Sequence, residues 1–440
     1  MTGLMSTPDD AKLKRSLSLL DVMALGVNAV IGQGIFLLPG LAAAILGPAS
    51  LVGLLCAAGI ALLIALCFAE VATRFDATGG AYVYARETFG PFVGFEVGWM
   101  LCCVGIISWA ALANGFTVVL GHFIPAVGSG WLQPVVAIGL MAALGAINLW
   151  GAKMGATLST FFSIAKLVPI FVFVAVGLLH IEGGNYEPFA PQGYDRLAEG
   201  TMLMLYAFVG FESSVVPAGE MKNPKRAVPI ALVTVMALVC VVYLAVFFVT
   251  IGTFPEVAGH GNPVAAASTG FLGLSGGTLI AAGIVVSVFG INTGAALVSP
   301  RKLYALAESG DLPKPLARVD PKTGTPRTAI IVTLAIAAVL SLTGSVKDLA
   351  ILGVVARFVQ YIPTCIAVIV LRRRKDSAAT KGFRVPFGPV IPITAVGLCL
   401  WLLVYTDPSK LLFGAIALVA GVPIYLLSRR AKRRNAAAAD

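Results

Sequence analysis

Charge is scarce in this chain. Only 12% of its 440 residues are Asp, Glu, Lys or Arg, against roughly 25% in a soluble domain. That is too little to coat a globule in water. Histidine is scarcer still: His122, His180 and His260 are the full complement, far apart and in no HExxH arrangement. There is no close pair of carboxylates inside an apolar run and no Gly-rich loop ending in GK[ST]; the stretch GGAYVYARETFG lacks that ending. Without a catalytic constellation the chain reads as a non-enzyme, with no metal and no cofactor. The seven cysteines, Cys56, Cys67, Cys102, Cys103, Cys240, Cys365 and Cys399, lie in apolar runs without metal-ligand spacing. They read as small packing residues. Residues 1–18 are polar, of mixed charge, and carry no cleavable signal pattern.

What is abundant is apolar sequence, 58% of the chain, with a mean hydropathy of +0.93. Twelve segments reach spanning length: 19–43, 48–73, 91–121, 131–150, 152–181, 199–220, 228–254, 274–300, 328–344, 347–371, 389–406 and 411–428. The prediction is an all-α polytopic membrane protein of twelve transmembrane helices. The net charge of +10 then becomes a topology signal. Of 31 Lys and Arg, 26 fall in the two ends and in alternate connections, and only Arg196, Lys347 and Lys410 fall in the others. Both termini are therefore expected in the cytoplasm, in a cell (plasma or inner) membrane. The RRRK and RRAKRR clusters directly follow apolar spans, where they would hold helix ends at lipid headgroups rather than nucleic acid.

Two spans are interrupted. The first reads LLDVMALGVNAVIGQGIFLLPG, with Gly32-Gln33-Gly34 in its middle. Glycine leaves a helix cheaply, and backbone freed inside a bilayer must line a polar cavity. The sixth span, LAEGTMLMLYAFVGFESSVVPAGEM, carries Gly210 near its middle, Glu212 beside it and Pro217 beyond. A carboxyl group at that depth costs about 2.5–3.5 kcal/mol and needs a reason. Interruptions in the first members of two sets of five spans mark a transporter site at a repeat interface. A third anomaly is Lys166, roughly 20 Å of helix from either end of span five. That is too far for a lysine to reach water, so its ammonium must find oxygen inside the protein. Arg357, in span ten, has no named partner and reads as structural; Glu70 and Glu96, near span ends, read as interfacial.

VNAVIGQGIFLLPG, YAFVGFESSVVPAGEMKNPKRAVPIA and RKLYALAESGDLPKPLARVDPKTGTPR together resemble the amino acid–polyamine–organocation permeases. The resemblance spans residues 16 to about 390. It implies a fold similar to the sodium-coupled leucine transporters: a 5+5 inverted repeat with discontinuous helices one and six, plus two C-terminal helices. The expected organisation is a cytoplasmic segment 1–18, a ten-span core 19–371 (repeats 19–181 and 199–371), a cytoplasmic loop 372–388, spans eleven and twelve over 389–428, and a basic tail 429–440.

The chemistry of the breaks suits an α-amino acid. A half-helix starting at Gly34 aims free N–H groups and a positive dipole end into the gap, which fits a carboxylate. Half-helices ending near Ile31 and Val209 offer carbonyls, which fit an ammonium. By resemblance, Gly32, Gln33 and Gly34 would bind the carboxylate; Val30, Ile31, Ala207 and Val209 would supply carbonyls beside Gly210; Tyr206 and Phe208 would cover the substrate. Lys166 would replace the sodium ion of the sodium-coupled relatives, and Glu212 would act in coupling or gating. Cys102, Ile106, Ser287 and Asn292 are expected to line an uncharged side-chain pocket. The expected function is sodium-independent, proton-coupled transport of neutral amino acids by alternating access; an obligatory exchanger and a polyamine or amine carrier are the alternatives. The expected partners are an amino acid, protons and membrane lipid.

Overall fold

A computed structural model describes residues 13–32, 34–121, 123–343, 346–374, 382–404 and 408–437. In chain order the α-helices are α1 (Leu19–Val30), α2 (Gly34–Leu46), α3 (Ser50–Ala72), α4 (Ala81–Phe89), α5 (Pro91–Leu120), α6 (Pro125–Gly128), α7 (Leu132–Leu149), α8 (Ala152–Gly177), α9 (Leu197–Leu205), α10 (Pro224–Thr253), α11 (Pro263–Glu308), α12 (Arg327–Thr343), α13 (Val346–Arg373), α14 (Val390–Val404) and α15 (Pro408–Ala437). Among the described residues, six stretches are long and apolar enough to cross a membrane, including Pro91–Leu120, Ala152–His180 and Pro224–Thr253. Large apolar side chains such as Phe171 and Val241 point outward, 73% and 65% exposed. An outward apolar surface of this kind is what lipid solvates and water does not. The chain is a multi-pass membrane protein.

α1 is short for local reasons. Its start is capped reciprocally: Asp21 N–H donates to Ser18 Oγ, and Ser18 N–H donates to the Asp21 carboxylate. Its end comes at Ile31, which turns extended at φ −75°, ψ 98°. α1 packs on α8, α10 and α11, so its stop lies inside the bundle. α9 stops in the same manner. A single 3₁₀ turn, Tyr206–Phe208, leads to extended Val209, and Gly210 follows at φ +118°. The remainder of that span runs as 3₁₀ turns, Phe211–Val215 and Ala218–Glu220, where the simplest expectation was a second α-helical half. Pro217 lies between these turns and has no N–H to continue a helix. α11 is itself two helices joined at Gly273, whose φ is +68°.

The ends of α3, α8, α11 and α13 meet at one face, together with residues 13–18, α4 and 309–326. This is the basic face. Glu70, read as interfacial, is 1% exposed there. It accepts from Arg372 Nε at 2.7 Å and from Val385 N–H at 2.7 Å. The segment around Val385 folds over the end of α3 and shuts water out. Arg301 and Glu220 form a second ion pair, this one fully buried. Asp311 joins Lys432 of α15 at 2.7 Å and also pairs with Arg86 of α4.

Candidate binding cavity

The geometry of the site begins with the carbonyls left over where α1 stops. Lys166, on α8, is fully buried. Its ammonium donates to Ile31 O at 2.7 Å and to Asn28 O at 3.2 Å. Ser287 Oγ of α11 donates to the same Ile31 oxygen at 3.3 Å. Asn28 turns its amide NH₂ to Ser159 Oγ at 2.9 Å, Thr293 Oγ1 at 3.2 Å and Gly290 O. α8 and α11 thus clamp the last turn of α1 through polar contacts. Tyr243, on α10, does the same between the two breaks: its hydroxyl lies 3.0 Å from both Val30 O and Ala207 O.

The breaks touch each other. A Cβ on Gly210 would stand 2.4 Å from Ala29 O, so the two interrupted backbones pack with no side chain between them. Gly210 N–H donates to the carboxylate of Glu212 at 3.0 Å. Glu212 is 7% exposed, and its carboxylate also accepts from Tyr361 OH at 3.0 Å, Gln360 Nε2 at 3.3 Å and Arg357 Nε at 3.4 Å, all from α13. Tyr361 stacks on Phe211 at 5.7 Å, and Phe68 meets both edge-on.

A cavity of about 200 Å³ opens beside the breaks. Val30, Gly32 and Gly34 line it from the first break, and Tyr206, Ala207, Val209, Gly210 and Glu212 from the second. α5 supplies Leu101, Val104, Gly105, Ser108, Ala111 and Leu112. α11 supplies Ile291, Gly294, Ala295, Val298, Ser299 and Lys302; Tyr243, Arg357 and Gln360 complete the wall. α5 leaves the basic face at Pro91 and α11 returns to it by Glu308. The lining therefore runs from the breaks toward the basic face.

Other expected site residues stand elsewhere. Ile31 is buried beside the cavity, with its carbonyl engaged by Lys166, and Phe208 packs on the Tyr243 ring at 5.4 Å. Gln33 lies outside the described residues. None of Cys102, Ile106, Ser287 and Asn292 lines the cavity. Ile106 packs with Trp109 and Met141, Ser287 bonds Ile31, and Asn292 donates to Leu112 O at 3.0 Å and Val288 O at 2.9 Å. Cys102 is buried one position from the lining residue Leu101. Tyr243, Lys302 and Arg357 line the cavity without having been assigned to it from the sequence. Tyr243 is the single tyrosine of an apolar run. Lys302 follows Pro300 and Arg301 just past the predicted span 274–300. Arg357 has its partner 145 residues away.

The chemistry on offer is recognition. The first N–H groups of α2 have no intrahelical partner, which makes a helix start a natural anion site, and the rest of the lining combines hydroxyl, carbonyl and apolar surface with Glu212, Lys302 and Arg357. Among the described residues, no group of three His, Cys, Asp or Glu could hold a metal ion. Apolar helices interrupted at one buried cavity are the architecture of a membrane carrier. The family model described as amino acid permease matches residues 17–422, and the chain belongs to that family of transporters. It is 30% identical to the methylthioribose transporter of Bacillus subtilis (strain 168), over 95% of this chain and 94% of that one. It is 30% identical to the serine/threonine exchanger SteT of the same organism, over 96% and 99%, and 27% identical to its branched-chain amino acid permease BcaP, over 98% and 96%.

Proposed function

We propose that this protein is a secondary active transporter that carries neutral amino acids across the cell membrane by alternating access, without sodium and coupled to protons. The observation that carries the reading is Lys166, whose ammonium sits on the Ile31 and Asn28 carbonyls at the end of α1. A fixed cation there does the work that a bound sodium ion would do at a broken helix. The amides from Gly32 to Gly34, before and at the start of α2, take the substrate carboxylate, and Val209 with the second lone pairs of Val30 and Ala207 takes its ammonium. The apolar walls of α5 and α11 receive the side chain. Either Lys166 or Glu212 carries the proton.

The reading includes twelve spans in a 5+5 repeat plus two, with the basic face and both termini cytoplasmic. The cavity then opens inward. Transport requires the bundle of spans one, two, six and seven to rock against spans three, four, eight and nine, and substrate drives this only by binding the states unequally. Exchange is the second reading, favoured by the near full-length match to a serine/threonine exchanger. The test is labelled amino acid uptake into proteoliposomes, with alanine, leucine and putrescine as competitors. Uptake should persist without sodium, fall when an inward proton gradient is collapsed, and be blocked by amino acids but not putrescine. Uptake that needs internal amino acid and ignores the gradient establishes exchange instead. A dependence on sodium removes the role given to Lys166.

A further inference from the structure

The family and the breaks explain binding of the α-carboxylate and α-ammonium, but they leave the charge of the side chain open. Relatives of similar identity are named for hydroxyl, branched-chain and cationic amino acids and for methylthioribose. Something in this chain's own cavity must set the rule. We infer that Lys302 is a charge filter: its ammonium, aimed into the cavity between α5 and α11, excludes amino acids whose side chains end in a cation. The inference rests on the proposed transport reading.

The position of Lys302 is built. A Cβ at Gly105 would stand 3.2 Å from Lys302 Cδ and 3.4 Å from its Nζ, so the lysine stem lies across bare α5 backbone. Ser299, one turn earlier on α11, donates to Gly105 O at 3.0 Å and holds the helices together there. Among the described residues, no carboxylate lies within ion-pair distance of Lys302. The charges that act on it are those of Glu212 and Arg357, which line the same cavity. Glu212 is already engaged by Arg357, Tyr361, Gln360 and the Gly210 amide. The acidic charge at this end of the cavity is thus matched, and Lys302 adds a positive charge without a counterion.

The geometry brings a substrate side chain toward it. Ile291, at the break, and Lys302 line the same cavity eleven positions apart, about 16 Å along α11. Side chains on a helix lean toward its N-terminus, so the Lys302 stem reaches back up toward the break. A substrate held by its carboxylate at Gly32–Gly34 extends its side chain down between Val104 and Val298 toward that ammonium. An apolar end meets methyl groups. A cationic end meets a like charge where little water screens the repulsion. Removing one such repulsion changes relative affinity by roughly tenfold or more.

The test uses norleucine and lysine, which share a four-carbon stem and differ by the terminal ammonium. Both are run as competitors of labelled leucine uptake in proteoliposomes and as stabilisers of the purified protein in thermal melts. In the wild type, norleucine should compete and lysine should not. In Lys302→Gln the lysine-to-norleucine ratio of inhibition constants should fall by roughly tenfold or more, while Lys302→Arg should keep the wild-type ratio. The melts read the same ratio should the glutamine variant bind without transporting. Wild-type binding of lysine as tight as norleucine, or an unchanged ratio in Lys302→Gln, overturns the filter and leaves the transport reading standing. Failure of both ligands, with alanine and leucine also inert, strikes the transport reading itself.

Discussion

The ammonium of Lys166 donates to the carbonyl of Ile31 at 2.7 Å, the shortest of the contacts by which α8 holds the last residues of α1 before its stop. Replacing Lys166 by Met keeps the bulk and strips the charge. Ile31 O keeps only the 3.3 Å bond from Ser287, and Asn28 O loses the ammonium. Hydrogen bonds to a charged group are worth about 1.5–3 kcal/mol each. Lys166→Met should therefore weaken amino acid binding by about 10–100-fold, read by ligand-induced thermal stabilisation and by uptake across pH. Binding and uptake intact at every pH would remove Lys166 from both the structural and the proton-carrying role.

Gly210 and Gly34 should separate sharply. Gly210 combines a φ of +118° with a Cβ position 2.4 Å from Ala29 O. A methyl there strains the backbone and forces the two breaks apart. Gly34 is the first residue of α2, and its Cβ would meet only the flexible end of Leu38 at 3.3 Å. Gly210→Ala should lower the melting temperature by several degrees and abolish uptake, whereas Gly34→Ala should melt within a degree or two of wild type. Equal melting of the two variants would mean that the interrupted backbones do not support each other.

What the sequence made legible was whatever stood out against apolar background: Gly32 and Gly210 in long runs, Glu212 beside one of them, Lys166 far from water. Hydrophobicity gives each of these a cost, so each demands an explanation. The faces of α5 and α11 offer no such contrast. Helices that are apolar all round have no stripe by which to phase them, and choosing Cys102 over Leu101, or Asn292 over Ile291, turns on a single position. The Glu212–Arg357 pair joins spans far apart in the chain, and only the fold reveals that they share an end of the cavity. The 3₁₀ character after Gly210 was hidden for another reason: Phe211–Val215 has ordinary helix-compatible composition, and the departure comes from Gly210 before it and Pro217 after it.

Tyr243 tests the bridge between the breaks. Its hydroxyl has one hydrogen and two carbonyls at 3.0 Å, Val30 O and Ala207 O. Tyr243→Phe leaves both carbonyls without that donor, but keeps the ring against Phe208 at 5.4 Å. One neutral hydrogen bond contributes about 0.5–1.5 kcal/mol. The variant should fold, melt slightly lower and raise the KM for uptake by roughly two- to tenfold. A KM at the wild-type value would place the hydroxyl outside substrate binding.

Glu212 and Arg357 should behave as one unit. The carboxylate collects four donors: the Gly210 amide, Tyr361, Gln360 and Arg357 Nε at 3.4 Å. Glu212→Gln removes the charge and substitutes an NH₂ that must face at least one of those donors. It also leaves Arg357 and Lys302 at the same end of the cavity with no carboxylate between them. Arg357→Gln alone leaves Glu212 its three other donors and removes one positive charge, so it should be milder. With both changed, the cavity loses a matched pair rather than one member. A double-mutant cycle on uptake should thus give a coupling energy of about 0.5–3 kcal/mol, the double variant being less impaired than the sum of the singles. Strictly additive losses would show that the two residues act separately and that Tyr361, Gln360 and the Gly210 amide suffice to hold the carboxylate.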